Sequence, residues 1–399
     1  MNPEELSSRI LSDCRCEGFA LSGIAPLTSL SRQEILQEWV AQGKHGGMAY
    51  MAEQLAERLD PTRVLEGAKS AIVVADQYAP RGSEDSPEFG QGRIARYARG
   101  RDYHEFIKKR LRRLCQGWRP FVGTHRFRAC IDTAPVRERE LAAIAGVGWI
   151  GKNTMLIHPE RGSWLLLGVI LTTLDLGEET PVPDHCGTCT RCIDACPTAA
   201  ITDHSVDATR CISYLTIEHR EQIEPALHAG IGDWILGCDI CQEVCPHNSG
   251  TGKGSIQAAW KPIAKRTTTA PLPGVWGTPP APDAIVDPEA EIQPAYAPRR
   301  VSLPLLDILG WNEDTRREAF ATSAMKRVTL AMLQRNAMIV ATNQTLRTSD
   351  PELTAALVPT LQAMASDHSQ PELVRRTAAQ CLQRLHADLN GAPPAAPAE

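Results

Sequence analysis

Cysteine is the residue type through which this sequence shows its chemistry. Of thirteen cysteines, eight fall between Cys186 and Cys245. Cys186, Cys189, Cys192 and Cys196, followed by Pro197, spell C-x2-C-x2-C-x3-C-P. Three thiolates on one tight loop can each hold one iron of a cubane, and the fourth, displaced past a helical turn, reaches a second cluster. Zinc favours separated cysteine pairs that close a tetrahedron, so this spacing points to iron and sulfur. The second half departs from the contiguous pattern. Cys238, Cys241 and Cys245-Pro246 are present, but Ile235 stands where a first cysteine would fall, and Cys211 is the nearest thiol left to replace it. With the customary exchange, one [4Fe-4S] cluster takes Cys186, Cys189, Cys192 and Cys245, and the other takes Cys196, Cys211, Cys238 and Cys241. The spacing sets the count of eight; the pairing rests on the exchange alone. Cys14, Cys16, Cys115, Cys130 and Cys381 remain, and read as buried or free thiols.

Two clusters move electrons singly and do not define a substrate. No G-x-G-x-x-G opens a helix and no GK[ST] loop occurs, so nucleotide-binding fingerprints are missing. Three other segments stand out: the glycine-rich stretch Gly43 to Tyr50, the stretch Ile131 to Arg139 after a strand, and Gly146 to Thr154. The last places three glycines beside hydrogen-bond donors, which lets backbone approach a bulky ligand, although a tight turn would use the same residues. From Arg93 to Arg128, twelve Lys or Arg face only Asp102 and Glu105. Such an excess can attract a polyanion, or it can be an ordinary solvated helix face.

The 399 residues suffice for two or three domains. Apolar content of 43% and charged content of 22% are those of a globular chain. No run of eighteen apolar residues exists, and Met-Asn-Pro-Glu-Glu opens neither a secretory nor a twin-arginine leader, so a cytoplasmic, membrane-free protein is expected. In that compartment many cysteines signal metal or redox chemistry rather than disulfides. The net charge of −5 gives no global sign of nucleic-acid binding.

The elements that must carry these groups divide the chain. Residues 1 to 180 alternate helical and strand patterns, as in an α/β domain. Helices are predicted over Leu6 to Gly18, Ser31 to Gln42 (with Ser31 as cap and Glu34 three residues on), Tyr103 to Leu114 and Pro135 to Ala145. Strands are predicted at Ala71 to Ala75, Ala129 to Ile131 and Trp164 to Thr172. Residues 181 to 250 are turns, cysteines and short helices, a segment that inorganic clusters would organise. Residues 251 to 300 read as an irregular connection, 301 to 390 as helices, and 391 to 399 as a disordered tail. The helices Asp314 to Leu333, Arg335 to Thr342, Pro351 to Ala365 and Pro371 to Ala387 have the spacing of HEAT-type pairs.

The strings RYARGRDYH, IDTAPVRERELA, GWIGKNTMLI, CISYLTIE and SAMKRVTLAMLQRN, taken with the cysteines, resemble the epoxyqueuosine reductases from about residue 10 to 385. The resemblance implies an α+β multidomain chain. Its parts would be a cobalamin-binding domain related to reductive dehalogenases, a bacterial ferredoxin-like domain with two [4Fe-4S] clusters, and HEAT-like helices. It implies reduction of the epoxide of epoxyqueuosine at the wobble position of tRNA, the last step of queuosine synthesis, fed by an external electron donor. A monomer is expected. Asp132 matches the family's proton donor, for which burial beside the corrin would have to raise its pKa. Without the resemblance, Asp132 and Thr133 would suit a helix cap better. Cobalamin contacts carried over by motif are Arg58, Tyr97, Asp132, Gly151, Asn153, Leu156 and Ser213. The cobalamin would be base-off, since Asp102-Tyr103-His104 begins the D-x-H-x-x-G signature but Ile107 breaks it. Arg137, Glu138 and Arg139 beside the acid, with Lys326, Arg327 and Arg335 on the C-terminal helices, are the expected tRNA contacts; salt bridges with Glu313, Asp314 and Glu318 are the plainer role for the last three. His247 stands where the family often carries tryptophan, a change of packing.

Three other functions compete. A ferredoxin-type carrier explains the cysteines but leaves the Asp132 segment idle. A cobalamin-dependent dehalogenase would be expected to carry an export leader and no helical tail. A tRNA-binding scaffold would keep its clusters for structure alone.

Overall fold

The computed structural model describes residues 2–82, 87–177, 180–249, 292–348 and 350–389. Most of the predicted connection and all of the predicted tail therefore lie outside the described residues. Among them, no helix is long and apolar enough to cross a membrane.

A four-stranded sheet underlies the N-terminal half. Its order is Leu21–Pro26, Ser70–Gln77, Leu165–Thr172 and Phe127–Cys130, and every pairing is antiparallel. The helix–strand alternation suggested an α/β layer, but no parallel crossover joins these strands, so the layer is α+β in kind. Ser70–Gln77 is buried on both faces because helices cover one side and the Glu138–Ile144 helix the other, which is why AIVVA is continuous rather than alternating.

Local chemistry explains where prediction and structure part. The helix predicted from Ser31 spans Gln33–Ala41, and Ser31 does not cap it. Instead Ser31 and Arg32 donate their backbone N–H groups to Glu140 Oε1 at 3.0 and 3.1 Å, so a carboxylate from another helix fills the capping role. The basic helix runs on to Val122, with Asp102 as its N-cap. Three of its segment's twelve cations, Arg96, Arg99 and Arg110, are buried. Arg110 pairs with Asp76, which also accepts from Tyr296 Oη at 2.6 Å, and so ties the helix to the sheet. The polyanion footprint is correspondingly smaller than the count implies.

One apolar core joins the cysteine segment to the C-terminal helices, containing Ile94, Ile212, Ile235, Leu303, Ile339, Leu357 and Leu385. Strand Gln91–Ile94 pairs in parallel with Trp234–Leu236 and antiparallel with Ser302–Pro304, knitting three sequence regions together. Ile235 is wholly buried there, a strand position with no room to serve as a ligand loop. The two helices predicted from 314 to 342 are cut differently. Glu313–Phe320 ends before a 3-10 turn at Ala324–Arg327, and one helix then spans Leu330–Thr348. That last helix is buried from Met332 to Thr345 on every side, packed between Glu372–Leu389 and the cysteine segment, so its weak amphipathicity is that of a central rather than a surface helix.

Candidate active site and cluster-binding segment

Cys186, Cys189, Cys192 and Cys245 line one cavity, with Lys152, His185 and His247 at its walls. Cys245 comes from the far end of the segment because the short helices Arg191–Asp194 and Ile240–Glu243 pack together. The hairpin of Trp149–Ile150 and Leu156–Ile157 presses on this cavity. Gly151 sits at its turn, where a Cβ would meet Ile157 Cδ1 at 2.5 Å and come 3.4 Å from Cys186 Sγ. The buried indole N–H of Trp149 has no conventional partner and faces the Cys186 sulfur, which also receives the Lys152 backbone N–H. His247 packs edge-on to Trp149 at 4.8 Å between ring centroids, the packing role expected of that position.

The other four thiols gather beside the first set. Burial, then Cys211, Asp239, Cys192 and Cys196, push the Cys241 thiol far above its ordinary value, so the two sets lie within electrostatic reach of each other. Cys196 Sγ accepts from Ala200 N at 3.3 Å, and Cys211 from the N–H groups of Ser213 and Tyr214. Among the described residues no group of three or more His, Cys, Asp or Glu is arranged to hold a single metal ion. Eight soft thiols in two sets, with backbone and indole donors aimed at sulfur, fit two cubane clusters.

Asp132 leaves the end of the strand Phe127–Cys130 in the left-handed region, at φ 39°, a strained place for a residue with a side chain. Its backbone N–H donates to Glu138 Oε1. The next helix begins at Glu138 with no side-chain cap, so Asp132 and Thr133 do not serve as caps. The carboxylate instead opens into a cleft, 59% exposed, where Oδ2 meets Tyr103 Oη at 3.1 Å and His104 Nε2 at 3.0 Å. The other imidazole nitrogen, Nδ1, lies 2.7 Å from Asp102 Oδ1, and Lys326 Nζ pairs with Asp102 Oδ2.

The electrostatics correct one expectation. Burial acts to raise the Asp132 pKa, but the His104 hydrogen bond and charge outweigh it, and the net shift is downward. For His104, burial opposes protonation, yet the bonds to Asp102 and Asp132 lift it to about 9. Burial and the Asp132 charge push Glu138 up to about 8. At neutral pH His104 and Glu138 therefore both hold protons beside the cleft, and Asp132 does not. Asp102, Tyr103 and His104 were legible only as a fragment of an incomplete cobalamin motif.

Arg58 is buried, and its Nε has no partner; the neighbouring Arg137 donates Nε to Arg58 O at 2.9 Å and leaves Nη2 buried without one. Two orphaned guanidinium edges, that of Arg58 within electrostatic reach of Asp132, fit a bulky cofactor carrying an anionic or amide rim, as cobalamin does; Tyr97 packs edge-on to Tyr103 at 6.3 Å between ring centroids. Arg137 also pairs with Glu140 at 2.6 Å and is nearly buried, so it faces inward rather than toward a phosphate backbone. Asn153 bridges Cys241 O and Met155 N, the Leu156 side chain lies in the core, and Ser213 is half-buried beside Cys211; these three sit with Gly151 on the cluster side, and Leu156 has only backbone to offer a ligand. Arg139 is exposed and donates to Thr154 O at 2.6 Å, and Arg327 pairs with Glu218 at the same mouth. Arg335 is fully buried, with its guanidinium on the carbonyls of Leu215, His219 and Glu221, and cannot meet tRNA.

A family model described as the 4Fe-4S double cluster binding domain matches residues 185–248, and one described as epoxyqueuosine reductase QueG, DUF1730, matches 58–133. The epoxyqueuosine reductase of Synechococcus sp. strain RCC307 is 36% identical over 342 residues, covering 84% of this chain and 93% of that one. The chain belongs to the epoxyqueuosine reductase family. Another member, from Xanthomonas campestris pv. campestris, is 42% identical over 252 residues, 62% of this chain and 71% of its own. The fold is also the family's. A crystal structure of epoxyqueuosine reductase with an epoxyqueuosine-modified tRNA-Tyr stem loop superposes with a TM-score of 0.74 at 24% identity, covering 100% of this chain and 96% of that one. The Streptococcus thermophilus reductase gives 0.69 at 24% identity, over 96% of this chain and 100% of its own.

Proposed function

We propose that this reductase removes the epoxide oxygen of epoxyqueuosine at the tRNA wobble position, with Asp132 delivering protons to that oxygen. The carrying observation is the Asp132 carboxylate, open to the cleft yet held on one oxygen by Tyr103 and His104. Epoxide to alkene consumes two electrons and two protons and releases water; an alkoxide leaves poorly, so an acid at the oxygen lowers the barrier. Cobalamin would be held among Arg58, Tyr97, Gly151, Asn153, Leu156 and Ser213 and would supply two-electron chemistry there. The chain's own part is to hold the clusters through the two cysteine sets, to wall the Cys186 set with Trp149 and the Gly151 turn, and to orient the acid. Tyr103, whose pKa burial drives upward, stays a neutral donor and keeps Asp132 Oδ2 turned toward its neighbours.

The exposed cations Arg139 and Arg327 rim the same mouth and suit the phosphates flanking a wobble nucleotide. The stacked helices from Leu330 onward, which we read as HEAT-like, would carry the rest of an anticodon arm. A monomeric, cytoplasmic enzyme drawing on an external one-electron donor completes this reading. The test is anaerobic turnover: protein loaded with iron, sulfide and cobalamin, given a strong reductant and epoxyqueuosine-bearing tRNA, should yield queuosine on nucleoside analysis. Loaded clusters that reduce fully without forming queuosine would reject the proposal and favour a carrier or a scaffold.

A further inference from the structure

Turning an epoxide oxygen into water requires two protons on the same atom, while Asp132, ionised at rest, relays only one at a time. Each must reach Asp132 Oδ2 from a neighbour already in line. His104 meets that need: Nε2 is 3.0 Å from Oδ2, and the ring is fixed behind by Nδ1 at 2.7 Å from Asp102 Oδ1. Asp102 is in turn anchored by Lys326, which reaches it from a turn 224 residues away in sequence. The ring also stacks on Tyr103, 4.0 Å between centroids, which leaves it one orientation.

We propose that His104 is the second proton carrier of the site, recharging Asp132 through Nε2–H, and that Asp102 and Lys326 are positioning residues that hold the imidazole in line. This rests on the epoxide-reductase reading above. In the first transfer, His104 passes its proton through the Asp132 carboxylate to the oxygen as one C–O bond breaks. Reprotonated, His104 repeats the relay through Asp132 as the second C–O bond breaks and water departs. The two electrons are those that the reaction already draws from the external donor. His104, 27% exposed, regains its proton from solvent. The groups facing it are Asp102 and Tyr103 on its own helix, Asp132 with Glu138 behind it on the facing loop, and Lys326 with Arg327 on the turn Ala324–Arg327.

The arrangement assigns Lys326 a role other than gripping phosphate, and the two roles separate cleanly. The experiment uses holoenzyme in its oxidised, diamagnetic state, labelled with 13C at histidine Cε1, and follows His104 by NMR from pH 6 to 10. His104 should titrate near 9. In Asp102→Asn its midpoint should fall by about one unit or more, the scale set by loss of a neighbouring charge, whereas in Lys326→Met, where a like charge leaves and Asp102 turns wholly to the imidazole, it should rise. In parallel, single-turnover reduction of an epoxyqueuosine stem loop should lose its alkaline limb in His104→Gln and slow by about 100-fold. Lys326→Met should move the limb to higher pH while binding the stem loop as wild type does. Unaltered iron, corrin content and circular dichroism qualify each variant, and exposed Lys326 keeps the test decisive if His104→Gln does not fold. A wild-type His104 titrating at the ordinary imidazole value would overturn the proposal. So would a Lys326→Met variant with weakened stem-loop binding and an unmoved limb. Wild-type protein that titrates as expected but forms no queuosine would instead reject the functional reading alone.

Discussion

Replacing Arg335 with methionine tests the claim that this cation is architectural. Its Nη1 donates to His219 O at 2.7 Å and Glu221 O at 2.6 Å, and its Nη2 to Leu215 O at 2.6 Å. All three carbonyls close the end of the helix Ile212–Ile217, which follows Cys211. Methionine is similar in length and tolerant of packing, but it donates nothing. Three carbonyls and the Asn336 amide oxygen lose these donors, at about 1–3 kcal/mol for each buried group left unpaired. Removing a buried cation returns part of this, since burying the charge itself costs several kcal/mol. The net expectation is a loss of about 3–5 kcal/mol. Urea unfolding of anaerobic holoenzyme, followed by far-ultraviolet circular dichroism, measures it. Fluorescence anisotropy with a labelled stem loop, at a urea-free temperature where the variant is folded, measures affinity. The reasoning predicts lower stability with unchanged affinity and an unchanged salt slope. Unchanged stability with weakened, less salt-dependent binding would refute it and restore Arg335 as a phosphate contact.

Other expectations follow from the site. Asp132→Asn should keep iron and cobalamin content and slow epoxide reduction by a factor of about 10² to 10⁴, read by nucleoside analysis in single turnover. Cys211→Ser should cost the cluster of Cys196, Cys238 and Cys241, halving the roughly eight irons per chain, while the other set keeps its electron paramagnetic resonance signal on reduction. The His104 pKa is raised in the fold from 6.5 to about 9, so its bonds stabilise fully below 6.5 and that support is lost as pH rises through 9. The difference in unfolding free energy between wild type and His104→Gln should therefore shrink across that window. Wild type alone falls for a second reason, because Glu138, raised to about 8, must ionise in the cleft; a difference that grows with pH would contradict the assignment.

The sequence carried the cluster chemistry well because its ligands are of one type and their spacing is short. Ile235 showed that the eighth thiol had to come from elsewhere, and Cys211 does lie beside Cys196 and Cys241. Asp132 was legible through resemblance, but its electrostatics were not. The expectation of a raised pKa assumed burial alone, whereas the deciding partner, His104, approaches from 28 residues away in sequence, with Tyr103 beside it and Arg327 adding its charge from the C-terminal region. Ser31 misled because a cap is a local signal, and Glu140 filled the same need from another helix. Arg335 misled because a cation among LAMLQRN reads as surface until the helix is known to be buried on all sides.

That buried helix also bears on where the chain can be divided. Composition placed a boundary near residue 300, with clusters before it and helices after. The core crosses that boundary: Asn336 Nδ2 donates to Thr216 O and Ile235 O, both at 2.9 Å, and Asn343 Nδ2 to His228 O at 2.7 Å. Thr216 and Ile235 lie close in sequence to Cys211 and Cys238, so the helix Leu330–Thr348 braces the backbone that carries those two thiols. Cutting the chain after residue 300 would expose Ile212, Leu215, Ile235 and Leu236 to water, at about 1.5–3 kcal/mol for each large side chain. It would also leave those carbonyls to solvent. The expected product is an insoluble chain, or a soluble one that retains the four-iron set of Cys186, Cys189, Cys192 and Cys245 and loses the other. Iron and sulfide analysis with paramagnetic resonance reads the outcome. A truncated chain carrying both clusters at full iron content would mean that the cysteine segment folds without its C-terminal brace.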